Sequence, residues 1–195
     1  EIVEQLGWRY PDHIVSPVAG GTLLPRIYKA IREMKEVGLV SGKLPKIHAA
    51  QPAGSAPVIR ALEQGLEFPD PVKPNTIAKS LAIGNPADGF QVVKVVNETG
   101  GSGAMVSDDE ILDAIQLLAS TEGIFTEPAG GTTVAATRAL IQRGAIKSTE
   151  SVVICVTGNG YKTAEVMAGR VDAPVRIGRA LADFERAIAP DTGAA

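Results

Sequence analysis

The stretch His13-Ile14-Val15-Ser16-Pro17-Val18-Ala19-Gly20-Gly21-Thr22-Leu23 decides the fold. Residues 13–18 form a short, largely apolar run of the kind a buried strand needs. Ala19-Gly20-Gly21-Thr22 is a tight small-residue turn. From residue 23 to about 38, Leu24, Ile27, Ile31 and Met34 recur at helical spacing, while Arg32, Glu33, Lys35 and Glu36 fill the wet face. Residues 46–50 read as a second short strand, and Gln51-Pro52-Ala53-Gly54 turns into a helix over about 56–64. Strand, turn and helix, repeated, is βαβ grammar and predicts a parallel sheet.

The same reading extends outward. Ile2, Val3 and Leu6 share a helix face that stops at Gly7, with no start methionine and no capping residue before it. The chain is therefore expected to begin inside a helix, as part of a longer protein. Pro69, Pro71 and Pro74 make residues 68–75 a loop. A helix is predicted over 88–97 with a stop at Gly100-Gly101, and a strand over 103–106. Ser107-Asp108-Asp109-Glu110 has the form of a capping box, opening a helix with Ile111, Leu112, Ile115 and Leu118 on one face and an end near Gly123. Glu127-Pro128-Ala129-Gly130-Gly131-Thr132 reads as a turn into a small-residue helix that stops at Gly144. Residues 152–156 (Val-Val-Ile-Cys-Val) read as a fully buried strand, 175–189 as a terminal helix and 190–195 as a frayed tail. The expected fold is α/β, a three-layer sandwich with a mostly parallel sheet, as one domain over 1–189.

Composition narrows the function. Of 195 residues, 45% are hydrophobic and 21% charged, which suits an ordinary globule and not a disordered chain. The formal charge is 19 − 22 = −3, so nucleic acid is not an expected partner. Aromatic residues are scarce at 4%, so Ala, Val, Ile and Leu must build the core. One cysteine, Cys155, rules out a disulfide framework and reads as a core filler. His13 and His48 have neither metal-ligand spacing nor a visible partner, and read as structural. Apolar runs fall far short of a membrane span, so no membrane association and a cytoplasmic location are expected.

Three small-residue turns could carry chemistry: Ala19 to Thr22, Glu127 to Thr132, and Thr157-Gly158-Asn159-Gly160. In an open α/β sheet, ligands bind beyond the carboxyl ends of the strands. A Gly-Gly turn lets main chain approach a ligand, and its amides with a helix N-terminus make an anion site. Residues 19–23 are the phosphate-cradle candidate. The familiar nucleotide fingerprints fail: there is no G-x-x-x-x-G-K-[ST], and Thr163 stands where G-x-G-x-x-G needs its third glycine. No G-x-S-x-G elbow is present.

Four motifs then occur in order. They are Pro17-Val18-Ala19-Gly20-Gly21-Thr22; Ala78-Lys79-Ser80-Leu81-Ala82-Ile83-Gly84-Asn85-Pro86-Ala87; Glu122-Gly123-Ile124-Phe125-Thr126-Glu127-Pro128-Ala129-Gly130-Gly131-Thr132; and Val156-Thr157-Gly158-Asn159-Gly160-Tyr161-Lys162. In order and approximate spacing the set resembles the threonine synthases, a branch of the fold-type II (tryptophan synthase β-like) pyridoxal-phosphate enzymes. The likeness runs over about 1–162. It implies a pyridoxal 5'-phosphate cofactor whose phosphate is held by Ala19, Gly20, Gly21, Thr22 and Leu23. It implies that Thr157 faces the pyridine nitrogen, with Asn159 supporting that turn. Gly84 and Asn85 match a loop beside cofactor and substrate, and Glu127 matches an acidic residue near the ring.

One departure stands out. Family members carry a Schiff-base lysine in an N-terminal segment, near a Ser/Thr-Gly-Asn loop for the substrate. Neither motif is present, and Lys73, Lys79 and Lys162 lack the family context. The resemblance therefore implies the C-terminal part of a threonine synthase, with no catalytic residue of its own and inactive alone. The implied reaction converts O-phospho-L-homoserine and water to L-threonine and phosphate. The implied partners are that substrate and the missing N-terminal segment, in a homo-oligomer. Two other readings stay open: another fold-type II enzyme such as a threonine or serine dehydratase, or a non-catalytic paralogue that binds an anionic metabolite.

Overall fold

A computed structural model describes residues 1–171 and 175–189. Four strands make one sheet: β1 (His13–Pro17), β2 (Lys46–Pro52), β3 (Gly103–Val106) and β4 (Val152–Ile154). Their order is β3-β2-β1-β4, and every neighbouring pair is parallel. The helices are α1 (Ile2–Gln5), α2 (Leu23–Glu36), α3 (Pro57–Gln64), α4 (Gly89–Thr99), α5 (Asp108–Glu122), α6 (Pro128–Gln142) and α7 (Leu181–Ile188).

Side-chain alternation along the strands sorts the core into two halves. Ile14, Ile47 and Ala49 face one way and pack with Leu24, Tyr28, Val58, Val92 and Val96 of α2, α3 and α4. Val15, Ala50, Ala104 and Val106 face the other way and pack with Ile111, Ile115, Ala136 and Leu140 of α5 and α6. The result is three layers, as the sequence predicts. All five residues of β1 are buried, which is why it reads as a continuous run and not an alternating one.

α5 begins with the capping box read from the sequence: the Ser107 hydroxyl accepts from the Glu110 amide, and the Glu110 carboxylate accepts from the Ser107 amide. α3, α4 and α5 each stop at a left-handed glycine, Gly65, Gly100 and Gly123.

Several sequence expectations change. β4 is three residues long and only half-buried, because among the described residues it has a neighbouring strand on one side only; Ile154 is 36% exposed. Cys155 lies just past it, half-buried, its amide donating to Val15 O at 3.0 Å; burial pushes its thiol pKa up. Glu127 to Thr132 is not a turn. Pro128 opens α6, and Gly130 and Gly131 lie inside the helix, bare where α6 meets Thr126 and Ile115. The terminal helix is shorter than 175–189 and has no buried residue. The tail at 190–195 lies outside the described residues.

The histidines do have partners. His48 Nε2 and His13 Nδ1 are 2.9 Å apart. The Ser102 main-chain N–H donates to His48 Nδ1 at 3.1 Å, so that nitrogen is an acceptor and the His48 proton sits on Nε2. It donates to His13 Nδ1, and His13 Nε2 stands 3.1 Å from Glu150 Oε2 without hydrogen-bond geometry. Burial, then the neighbouring His13 and Lys46, lower the His48 pKa to about 4. This seam lies away from the carboxyl ends of the strands, and its His48 packs the sheet in the neutral form.

Candidate cofactor site

In a parallel sheet, a ligand sits where the strand order reverses. The chain steps from β1 to β2 to β3 in one direction, then β4 returns to the far side of β1. The crevice therefore opens beyond the carboxyl ends of β1 and β4. A cavity of about 340 Å³ lies there, lined by Ala19, Gly20, Gly21, Thr22 and Leu23 after β1, by Ser80, Leu81, Glu127 and Ala129, and by Thr157 after β4.

The loop after β1 offers donors. The main-chain N–H groups of Ala19, Gly20, Gly21 and Thr22 find no acceptor among the described residues. They run into the N-terminus of α2, whose first turn carries no acidic residue. Consecutive free amides at a helix start are an anion cradle. Gly21 adopts φ +96°, which favours glycine, and a Cβ there would stand 2.8 Å from the Asp88 carbonyl carbon.

The loop after β4 is tied to the start of α6. Glu127 N–H and Thr126 Oγ1 both donate to Gly158 O, at 3.0 and 2.8 Å. Gly160 N–H donates to Phe125 O at 3.0 Å. A Cβ on Gly158 would strike the Glu127 carboxylate, so this glycine permits a close approach. Glu127 is buried, and its Oε2 lies 3.3 Å from Lys162 Nζ. Asn159 does not line the cavity; its Oδ1 accepts from Tyr161 N–H at 2.9 Å and shapes the turn. Gly84 and Asn85 also lie off the cavity wall. Gly84 packs on the proline loop, its carbonyl accepting from Val72 N–H at 2.9 Å.

The nearby lysines are engaged. Lys79 Nζ donates to Thr76 O at 2.8 Å, and Lys162 pairs with Glu127. Sequence reasoning missed Ser80 as a wall residue, and it missed Asp88. Asp88 grips the cradle from outside, its N–H donating to Gly20 O at 2.9 Å and its carboxylate accepting from Thr22 Oγ1 at 2.7 Å.

A crevice at the strand-order reversal, with a row of free main-chain amides on one wall and a hydroxyl and a buried carboxylate on the other, is an arrangement that α/β proteins use for phosphorylated small molecules. The chain belongs to the family described as "Pyridoxal-phosphate dependent enzyme", whose model matches residues 1–158. Pyridoxal phosphate is the cofactor of that family, and the free amides fit its phosphate. Among curated proteins, the chain is similar to the threonine synthase of Methanosarcina acetivorans, 37% identical over 175 residues, 89% of this chain and 43% of that protein. It is also similar to that of Methanocaldococcus jannaschii, 33% identical over 178 residues, 91% of this chain and 44% of that protein. The chain thus spans less than half the length of these relatives. Among solved structures, serine racemase from Dictyostelium discoideum aligns with a TM-score of 0.61 and 28% identity, over 81% of this chain and 46% of that one. A fungal L-serine ammonia-lyase from Rhizomucor miehei aligns at 0.67 and 22% identity, over 87% and 53%, and shows the shared fold.

Proposed function

We propose that this chain is the phosphate-holding, C-terminal part of a threonine synthase, acting on O-phospho-L-homoserine and water to give L-threonine and phosphate. The carrying observation is the row of free amides from Ala19 to Thr22 on a crevice shared with Thr157 and Glu127. The curated threonine synthases at 33% and 37% identity favour this reaction over those of the racemase and ammonia-lyase, which share the fold at lower identity.

In this reading, Ala19, Gly20, Gly21, Thr22 and Leu23 hold the cofactor phosphate through main-chain N–H groups and the α2 N-terminus. Bound there, pyridoxal phosphate supplies carbanion stabilisation. Thr157 offers the pyridine nitrogen a hydroxyl in place of a carboxylate, which keeps that nitrogen largely unprotonated. Glu127 anchors the Thr157 turn, and Lys162 neutralises it from the solvent side. Gly84 and Asn85 act from the loop next to the cavity, on the substrate side. The lysine that bonds the cofactor lies outside this chain, in a preceding segment, and the assembled enzyme is a homo-oligomer in the cytoplasm.

The test is to add pyridoxal phosphate to the purified chain, reduce with borohydride and map labelled peptides by mass. Weak labelling scattered over many lysines is expected. Stoichiometric, saturable labelling of one lysine overturns the reading. In the holoenzyme, phosphate release from O-phospho-L-homoserine is expected, and deamination of L-serine or L-threonine in its place would assign a dehydratase.

A further inference from the structure

We propose that Asp88 is the positioning residue that presets the anion cradle, and that it reserves the Thr22 hydroxyl so that the loop meets a phosphate with main-chain N–H groups alone. This rests on the cradle reading above and adds a residue that lies outside the four sequence motifs.

The start of α4 is capped anomalously. Asp88 occupies the N-cap position of α4, where an aspartate normally accepts from the helix amides. It makes no such bond. Its carboxylate is turned instead to Thr22, 66 residues away in sequence, and accepts from Thr22 Oγ1 at 2.7 Å through Oδ2. Oδ1 accepts from Gln91 Nε2 at 3.1 Å, which fixes the carboxylate plane. The Asp88 main chain works on the same loop. Its N–H donates to Gly20 O at 2.9 Å, and its carbonyl carbon sits 2.8 Å from where a Gly21 Cβ would be. One residue therefore touches Gly20, Gly21 and Thr22, the heart of the cradle.

A carboxylate beside an anion loop repels the anion, so its presence needs a use. A threonine hydroxyl has one proton. With that proton given to Asp88 in a charge-assisted bond, Thr22 Oγ1 turns only lone pairs elsewhere. The hydroxyl proton then cannot compete with the amides for a phosphate oxygen, and Thr22 makes no side-chain bond to the α2 amides. The Gly20 carbonyl is likewise occupied by the Asp88 N–H, which keeps its lone pair from closing on the cradle amides.

Acceptor and charge separate in Asp88→Asn. The asparagine Oδ1 still accepts from Thr22 but carries no charge. Asp88→Ala removes both. The experiment titrates inorganic phosphate, then pyridoxal phosphate, into the purified chain, following the amide signals of Gly20, Gly21 and Thr22 by NMR beside their hydrogen exchange. Asp88→Ala is expected to weaken phosphate binding about tenfold and to speed exchange at those amides. Asp88→Asn should bind at least as tightly as the wild type. If Asp88→Ala unfolds, Thr22→Val breaks the same bond from the other end and Thr22→Ser restores it. Binding and exchange unchanged in Asp88→Ala, or equal losses in Asp88→Ala and Asp88→Asn, overturn this proposal and leave the cradle standing. A wild-type chain whose cradle amides ignore both ligands overturns the cradle itself, and this proposal with it.

Discussion

Gly21 is the residue on which the site turns. Its φ of +96° disfavours any L side chain, and rigid Asp88 main chain fills the space a Cβ would need. Gly21→Ala is expected to cost about 2 kcal/mol, from the left-handed strain plus displacement of the α4 entry. Urea unfolding checks the stability, and a phosphate titration should show the binding lost with it. His48 gives a pH prediction. Its folded pKa of about 4 lies below its ordinary 6.5, so the unfolded chain takes up the proton first. Stability is full above pH 6.5 and falls progressively as pH drops towards 4, by at most about 3 kcal/mol. Urea midpoints at pH 7.5 and 4.5 test this, and a midpoint that does not move would remove His48 as a source of acid sensitivity. None of this was legible from His13 and His48 separately, since the sequence gives no sign that positions 35 apart share a proton; the β1–β2 register alone brings them together.

At the scale of elements, local signals were legible where they are self-contained. The capping box of α5 was readable because all its atoms lie within Ser107 to Glu110. Ser107→Ala should cost about 1 kcal/mol, seen as a lower denaturation midpoint with an unchanged slope. The start of α6 was misread because glycine pairs signal turns in isolation, whereas here they serve contact. A Cβ on Gly131 would lie 2.6 Å from Ile115 Cγ1 and 2.8 Å from Ile111 O on α5. Gly131→Ala therefore sets a helix-propensity gain of about 1 kcal/mol against overpacking on a carbonyl that cannot move aside. Net destabilisation of about 1–2 kcal/mol is expected; a stabilised variant would mean that α5 and α6 can part freely. The burial of β4 was also misjudged. A Val-Val-Ile run specifies a strand but not its place in the sheet, and an edge position halves its cover. The cradle was legible because its turn is contiguous, whereas Asp88 was not, because its bond to Thr22 spans 66 residues.

For the whole molecule, the stretch that follows β4 is held down at residues 167–170. Arg170 bonds Asp109 and Asp113 of α5 at 2.7 and 2.6 Å, and Met167 is buried against the core. Beyond it, α7 has no buried residue. Removing everything after Val171 should shift the melting temperature by less than about 2 °C. A larger fall would show that the C-terminal segment contributes to the core. The α/β class and the three layers were readable from the order of strands and helices. Which strand lies at the centre was not, since that depends on β4 returning to β1. That return has a consequence in time. Asp12 Oδ2 accepts from both the amide and the hydroxyl of Ser151, clasping the outer side of β1 to the entry of β4 across 139 residues. On the ribosome, β1 emerges long before its second neighbour exists. At roughly 5–20 residues per second, the central strand waits about 7–28 seconds with one edge unpaired. Through that interval Ile14 and Val15 belong to a strand whose β4 side is still to be paired, so this sheet is completed only when the chain has been made as far as β4.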